Sequence, residues 1–220
     1  LKSGRVGVIK EPTYGGQLQD LAVTGNLSEG KIHITYDERE IYLKGGDKVS
    51  LRHPTYTISH QNYGPIHPNT MMSARVAPPM IGLGLLEAIS AKDTLSLADP
   101  KDLNNDGISG KANQVWDVIK QNTSLGRFGW KAGQPNVLQQ NADAFSGDLG
   151  IASPIFNSLS GDCTQAQTTC INAPHGGSVE HDNAEISNEG LKLVNFYSRN
   201  LALQKREEAN NPVVLAGKAL

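Results

Sequence analysis

The spacing of apolar positions changes character near residue 70. Before that point the chain reads as short β-branched or aromatic runs with partial two-residue alternation: "RVGVI", "KIHITYDE", "EIYLK" and "KVSLRHPTYTI". Turn signals separate them at Gly15-Gly16, Glu29-Gly30 and Gly45-Gly46-Asp47. Beyond it the period becomes helical. "RVAPPMIGLGLLEAIS" predicts a helix opening at Pro79, whose missing N–H needs no partner in a first turn, with Leu85, Leu86 and Ile89 facing a core. Ala112, Val115, Trp116 and Ile119 recur at i, i+3, i+4 and i+7, the pattern of an amphipathic helix. A third helix carries Leu138, Ala142, Phe145 and Leu149 on one face, enters through Pro135 and ends between Gly147 and Gly150. The longest spans 183–204, aligns Ile186, Leu193, Val194, Tyr197 and Leu201, and opens on a capping box of Asp182 and Glu185. "QKREEANNPVV" reads as a charged linker and "VLAGKAL" as the start of another helix. The class expected is α+β: a β-rich segment over 1–68, a helical, loop-rich region over 69–205, and a linker over 206–220.

Composition narrows the function classes. With 220 residues, 38% of them hydrophobic, the chain has the material for a buried core. A formal charge of −2 and a pI of about 6.3 leave no basic field for nucleic acid. The longest apolar stretch, "APPMIGLGLLEAI", is broken by Pro78, Pro79, Gly82 and Gly84 and falls short of the roughly 20 residues that span a bilayer. The chain begins at Leu1 without a charged leader, so an upstream segment is expected to have been removed or left out. Cys163 and Cys170 stand in "DCTQAQTTC". Redox dithiols usually enclose two residues, so this spacing favours a structural disulfide over a thiol-redox pair, and with it an oxidising compartment.

The stretch "DPKDLNNDGISGKAN" carries the sharpest local chemistry. Asp102, Asn104 and Asp106 fall at relative positions 1, 3 and 5, Gly107 at 6, and Ile108 can offer its carbonyl at 7. That is the first half of a calcium loop, in which hard oxygens converge and glycine permits the tight turn. Position 12 is Asn113 in place of a bidentate glutamate, so the expected affinity is modest. The competing reading is an Asx-rich turn whose side chains bond their own backbone. Six histidines offer no HExxH, and neither GxSxG, GxGxxG nor a P-loop occurs, which removes the common zinc-hydrolase, serine-hydrolase, dinucleotide and nucleotide readings. In "LGRFGWKAGQP", Arg127, Trp130 and Lys131 sit among glycines. They can approach a large planar anionic cofactor, while Phe128 and Trp130 read equally as core anchors, the role that the residues alone favour.

Five phrases in order carry a family resemblance: "YGGQLQD", "SARVAPPMIGLGLLEAI", "DLNNDGISGKANQVWD", "LGRFGWKAGQPNVLQQNADAFSGDLGI" and "VNFYSRNLAL". Together they resemble the di-haem oxidoreductases of the cytochrome c type, a peroxidase-like family also catalogued as thiol oxidoreductases. The resemblance implies a periplasmic or exported redox enzyme, peroxide reduction, and two haem c groups attached at CxxCH motifs upstream and downstream of such a region. This chain has no CxxCH, because Cys163 and Cys170 lie too far apart and neither precedes a histidine. It is therefore expected to be the central region, inactive alone, with the flanking haem domains or an electron-donor protein as partners. "NPVVLAGKAL" resembles the approach to the second motif. Toward a haem held elsewhere, the resemblance offers the thioethers of Met71, Met72 and Met80 and the imidazoles of His60 and His67 as axial ligands, against ordinary core filling for each methionine. It also casts Trp130 as an electron-transfer residue, with Arg127 and Lys131 beside it. The rival expectation is a non-catalytic, calcium-stabilised exported module that binds a partner and needs no haem.

Overall fold

The computed structural model describes residues 7–219. Among these described residues, two two-stranded antiparallel sheets and six helices make a mixed α+β fold: β1 (Lys31–Tyr42), β2 (Lys48–Ser59), α1 (Leu83–Ala88), α2 (Ala91–Ser96), β3 (Gln114–Asp117), β4 (Asn122–Leu125), α3 (Val137–Leu149), α4 (Thr168–Ile171), α5 (Asn188–Asn200) and α6 (Pro212–Ala219). A 3-10 turn covers Val179–His181. The N-terminal third holds the longer sheet, as the two-residue alternation predicts. The chain forms two compact units: residues up to Arg75 with Ala142–Asn188, and Val76–Asn141 with the residues from Glu189 onward.

In the first unit, β1 and β2 form a twelve-rung ribbon from Lys31↔Ser59 to Tyr42↔Lys48. The two strands read separately from "KIHITYDE" and "EIYLK" are one, because Glu38, Arg39 and Glu40 pair rung by rung with Arg52, Leu51 and Ser50. Alternation puts Ile32, Ile34, Tyr36, Pro54, Tyr56 and Ile58 on one face of the ribbon base. The tip closes through Gly45 and Gly46, both at positive φ, where the Leu43 amide donates to the Asp47 carbonyl at 2.8 Å. The "RVGVI" strand lies partly outside the described residues, and Gly7–Ile9 are not extended into a sheet.

A second feature of this unit is a clip. Cys163 and Cys170 are disulfide-bonded, as their spacing suggested. Residues in and beside that loop grip the N-terminal segment: Asp162 pairs with Lys10 and accepts from the Gly16 amide at 2.6 Å, Thr164 Oγ1 donates to the Thr13 carbonyl at 2.6 Å, and Gln167 Nε2 donates to the Glu29 carboxylate. Buried Tyr14 receives the Tyr63 amide and donates to the Gly64 carbonyl.

In the second unit the expected helix around Trp116 is absent. Val115 and Trp116 pair with Ser124 and Thr123 in the β3–β4 hairpin, and Asp117 turns the chain by accepting from the amides of Ile119 and Lys120. The first helix also starts later than its prolines suggest. α1 opens after Gly82, at φ 76°, because the Gly82 amide is bonded to the Leu201 carbonyl at 2.9 Å. It is one and a half turns long, and Leu85, Leu86 and Ile89 are exposed where a core face was expected. Ser90 then caps α2, accepting from the Asp93 amide at 3.1 Å and donating to its carboxylate. α3 begins in the second unit and passes into the first at Ala142; it runs as its pattern predicts, with Val137 and Ala142 fully buried, although Leu149 is exposed. α5 is shorter than the predicted 183–204. Glu185 does not cap it; its carboxylate accepts from the Ala152 and Gly176 amides at 2.9 and 2.7 Å, which fixes 183–187 as loop. The buried residues of α5 are Leu191 and Ser198, while Leu193 and Tyr197 of the expected face are exposed.

The chain exposes 16048 Å². A run of large apolar side chains is exposed: Met71, Met72, Val76, Met80, Ile81, Leu85, Leu86, Ile89, Leu95 and Leu97.

Candidate functional site

The most chemically dense part of the chain lies in the second unit, at the start of α3. Pro135 ends the preceding loop, and Asn136 caps the helix, its Oδ1 accepting from the Gln139 amide at 2.8 Å. The Val137 amide is taken by Glu87 Oε1 at 2.9 Å, so a carboxylate from α1 sits at the positive end of the α3 dipole. The other oxygen of Glu87 pairs with Arg199 Nε of α5 at 2.5 Å. Gly84 makes this crossing possible, because any Cβ there would collide with the Arg199 carbonyl.

Beside this pair lies Asp117, fully buried. Burial alone would raise its pKa. The amide of Lys120, the Lys120 ammonium at 3.4 Å and the Ile119 amide outweigh that and hold the carboxyl below the usual aspartate range. Glu87, Asp117, Lys120, Arg127, Asn136 and Arg199 line an open cleft of about 380 Å³. The cleft can orient an anion or hold a proton donor, and its charges are largely matched in pairs.

Arg127 belongs to this cleft, half-buried, with Nη1 donating to the Leu86 carbonyl at 3.2 Å. Trp130 and Lys131, expected beside it, are not among the cleft's lining residues. The 126–134 loop is folded on itself: Gly126 is so close to the Ala132 carbonyl that no side chain fits, and Gly129 and Ala132 have positive φ. Phe128 turns inward and is 3% exposed, whereas Trp130 turns outward at 61%, its indole N–H donating to the Val76 carbonyl. Of the two expected core anchors, only Phe128 is buried.

Asn113, expected as the twelfth position of a calcium loop, directs its amide N–H groups to the Lys131 and Ala132 carbonyls at 3.0 and 3.1 Å. The carboxylates of the 102–108 loop bond its own backbone. Asp102 accepts from the Asp106 and Gly107 amides, Asp106 accepts from the Ile108 amide, and Asn104 donates to Asp106. Asp102 and Gly107 turn at positive φ. Among the described residues no group of three or more His, Cys, Asp or Glu side chains is gathered for a metal ion.

The expected axial ligands fall in both units. Met80 lies in the second unit, and His60, His67, Met71 and Met72 in the first. The three methionines are exposed, Met71 almost completely. His67 Nδ1 accepts from the Asn69 amide at 3.2 Å, a bond that puts the ring proton on Nε2 and withholds that nitrogen's lone pair. His60 Nδ1 lies 2.9 Å from Ser59 Oγ. Glu87, Lys120 and Arg199 were missed by reading the sequence. The one signal that pointed to Lys120, and to Asp117 beside it, was "DVIKQN", an Asx-type turn hidden inside an apparent helical period.

The sequence profile of the family described as "Di-haem oxidoreductase, putative peroxidase" matches residues 7–220. The chain belongs to this family. No curated protein and no solved structure gives a significant match. Membership makes haem the expected redox group and makes the general activity that of an oxidoreductase. The residues present do not fit its covalent attachment: the chain lacks CxxCH, and its two thiols are consumed by one another. Among the described residues no helix is long and apolar enough to cross a membrane.

Proposed function

We propose that residues 1–220 are the central region of an exported di-haem oxidoreductase that reduces peroxide, and that the haems are held by segments outside this stretch. The observation that carries the reading is the family match over almost the whole chain in a sequence with no thiol free to hold a haem. Two further features agree with it. Large apolar side chains between Met71 and Leu97 are exposed, as expected of a region that packs against further protein or porphyrin. The disulfide suits an oxidising compartment such as the periplasm.

In this reading the outward-facing Trp130, held by the Val76 carbonyl and by the Asn113-anchored loop, is the residue offered to a haem of the flanking segments. Arg127 and Lys131 give the same loop its positive charge. The test is a haem stain of the denatured full-length product, made under conditions that attach c-type haem, followed by peroxide-dependent reoxidation of the reduced protein. Covalent haem and reoxidation are expected; a full-length product free of haem ends the reading. Calcium at Asp102, Asn104, Asp106 and the Ile108 carbonyl rests on the loop sequence alone. A melt of the chain with calcium and then with chelator checks it, and an unchanged midpoint assigns the loop to a self-bonded turn.

A further inference from the structure

The β1–β2 ribbon is an arm with one guarded edge and one open edge. On β2, Pro54 removes an N–H from the middle of the strand, a common device for blocking further pairing. β1 contains no proline, and among the described residues no backbone hydrogen bond reaches it from outside the ribbon. Its charges are concentrated toward the tip, in Asp37, Glu38, Arg39 and Glu40, while the base from Ile32 to Tyr36 carries no carboxylate, lysine or arginine. There Ile32, Ile34 and Tyr36 remain 47%, 45% and 50% exposed on the face they share with Pro54, Tyr56 and Ile58. A two-stranded ribbon with both faces wet is marginal by itself.

We propose that the open edge of β1 pairs antiparallel with β1 of a second copy of this chain, about a twofold axis at Ile34. The register follows from the sequence. Antiparallel neighbours place directly opposed residues on the same face. Centred on Ile34, the pairing sets Ile32 against the second copy's Tyr36, His33 against Thr35, and Lys31 against Asp37 at both ends. The apolar faces of the two arms then merge across four strands, and an opposite-charge pair closes each end. Moving the axis to Thr35 sets Lys31 against Arg39 and Ile32 against Glu38. Moving it to Tyr36 sets Ile32 and Ile34 against Glu40 and Glu38. Both put carboxylates against isoleucines, so of these three registers the Ile34 one is complementary over seven pairs. Lys31 Nζ donates to the Asp20 carbonyl within one chain and retains further protons for Asp37 of the second copy.

The assignment stands apart from the redox reading and fails independently of it. Sedimentation of the intact chain is expected to show a dimer. Ile34→Lys, which faces like charges across the axis, and Lys31→Asp, which opposes two carboxylates at each end, should both give monomer, with far-ultraviolet circular dichroism confirming that the fold is kept. The double exchange Lys31→Asp/Asp37→Lys should restore the dimer. Ile34→Cys should cross-link under mild oxidation, because opposed Cα atoms in an antiparallel pair are about 4.5–5.5 Å apart, within disulfide reach. A wild-type monomer, a dimer indifferent to Lys31→Asp, or a distribution of higher oligomers would overturn the proposal.

Discussion

Asp117 is a buried charge in the second unit. It receives two amides and an ammonium. Asp117→Ala leaves those amides without an acceptor and should cost about 2–3 kcal/mol in a urea titration. Its pH dependence has a definite sign. The folded pKa is depressed, so its contribution is complete above the ordinary aspartate pKa and is lost as pH falls through the lower folded value. A melt followed downward in pH should therefore steepen below the usual aspartate range, and Asp117→Asn should flatten that limb. Glu29 in the first unit acts in the opposite sense. Burial raises its pKa against the amide of Gln19 and the side chain of Gln167, so its contribution is greatest below the ordinary glutamate pKa and declines as pH rises through the elevated one. None of this was legible in the sequence, since Asp117 reads as a helix residue until its neighbour β4 is known. Asn113 shows the same limit: its position in a calcium-like spacing is visible, whereas the carbonyls that claim its amide come from 18 and 19 residues away.

Elements with a local cause were legible, and those with a distant cause were not. α3 follows its own period between Pro135 and Gly150, and the ribbon follows two-residue alternation and a double-glycine turn. The β3–β4 hairpin defeated the helical reading because four residues of β4 provide a partner that periodicity cannot see. α1 is set by its contact with α5 and the residue that follows it: Gly82 bonds Leu201, and Gly84 lies against Arg199. Gly84→Ala should therefore separate the two helices, break the Glu87–Arg199 pair and uncap Val137. Amide exchange ought to accelerate at the first turn of α3 as well as in α1, whereas a purely local effect would leave α3 protected. The disulfide clip permits a similar test. By chain entropy, closing so short a loop contributes about 2.5 kcal/mol. Replacing both Cys163 and Cys170 by serine should release the 10–29 segment to proteolysis before the ribbon is cut.

At the scale of the whole molecule, the family was legible in five phrases, and the scarcity of core was not. Seven hydrophobic residues are buried among the described residues, in a composition that allows many more. A chain that hides so little apolar surface should have a urea m-value below that of compact proteins of its length, and it should bind a hydrophobic dye in its native state. Dye binding that falls in the longer product proposed above would identify the covered face. A size-typical m-value with no dye binding would mean that the surface closes on itself.

Glu87 carries one last implication. By placing its own side chain on the Val137 amide, the protein neutralises the first turn of α3 internally, with Arg199 as the matching cation. A terminus already served in this way gains little from dissolved electrolyte, so added phosphate should leave the melting temperature of the native chain nearly unchanged. In Glu87→Gln the same salt should become stabilising, as solution anions take over a duty that the polypeptide had kept for itself.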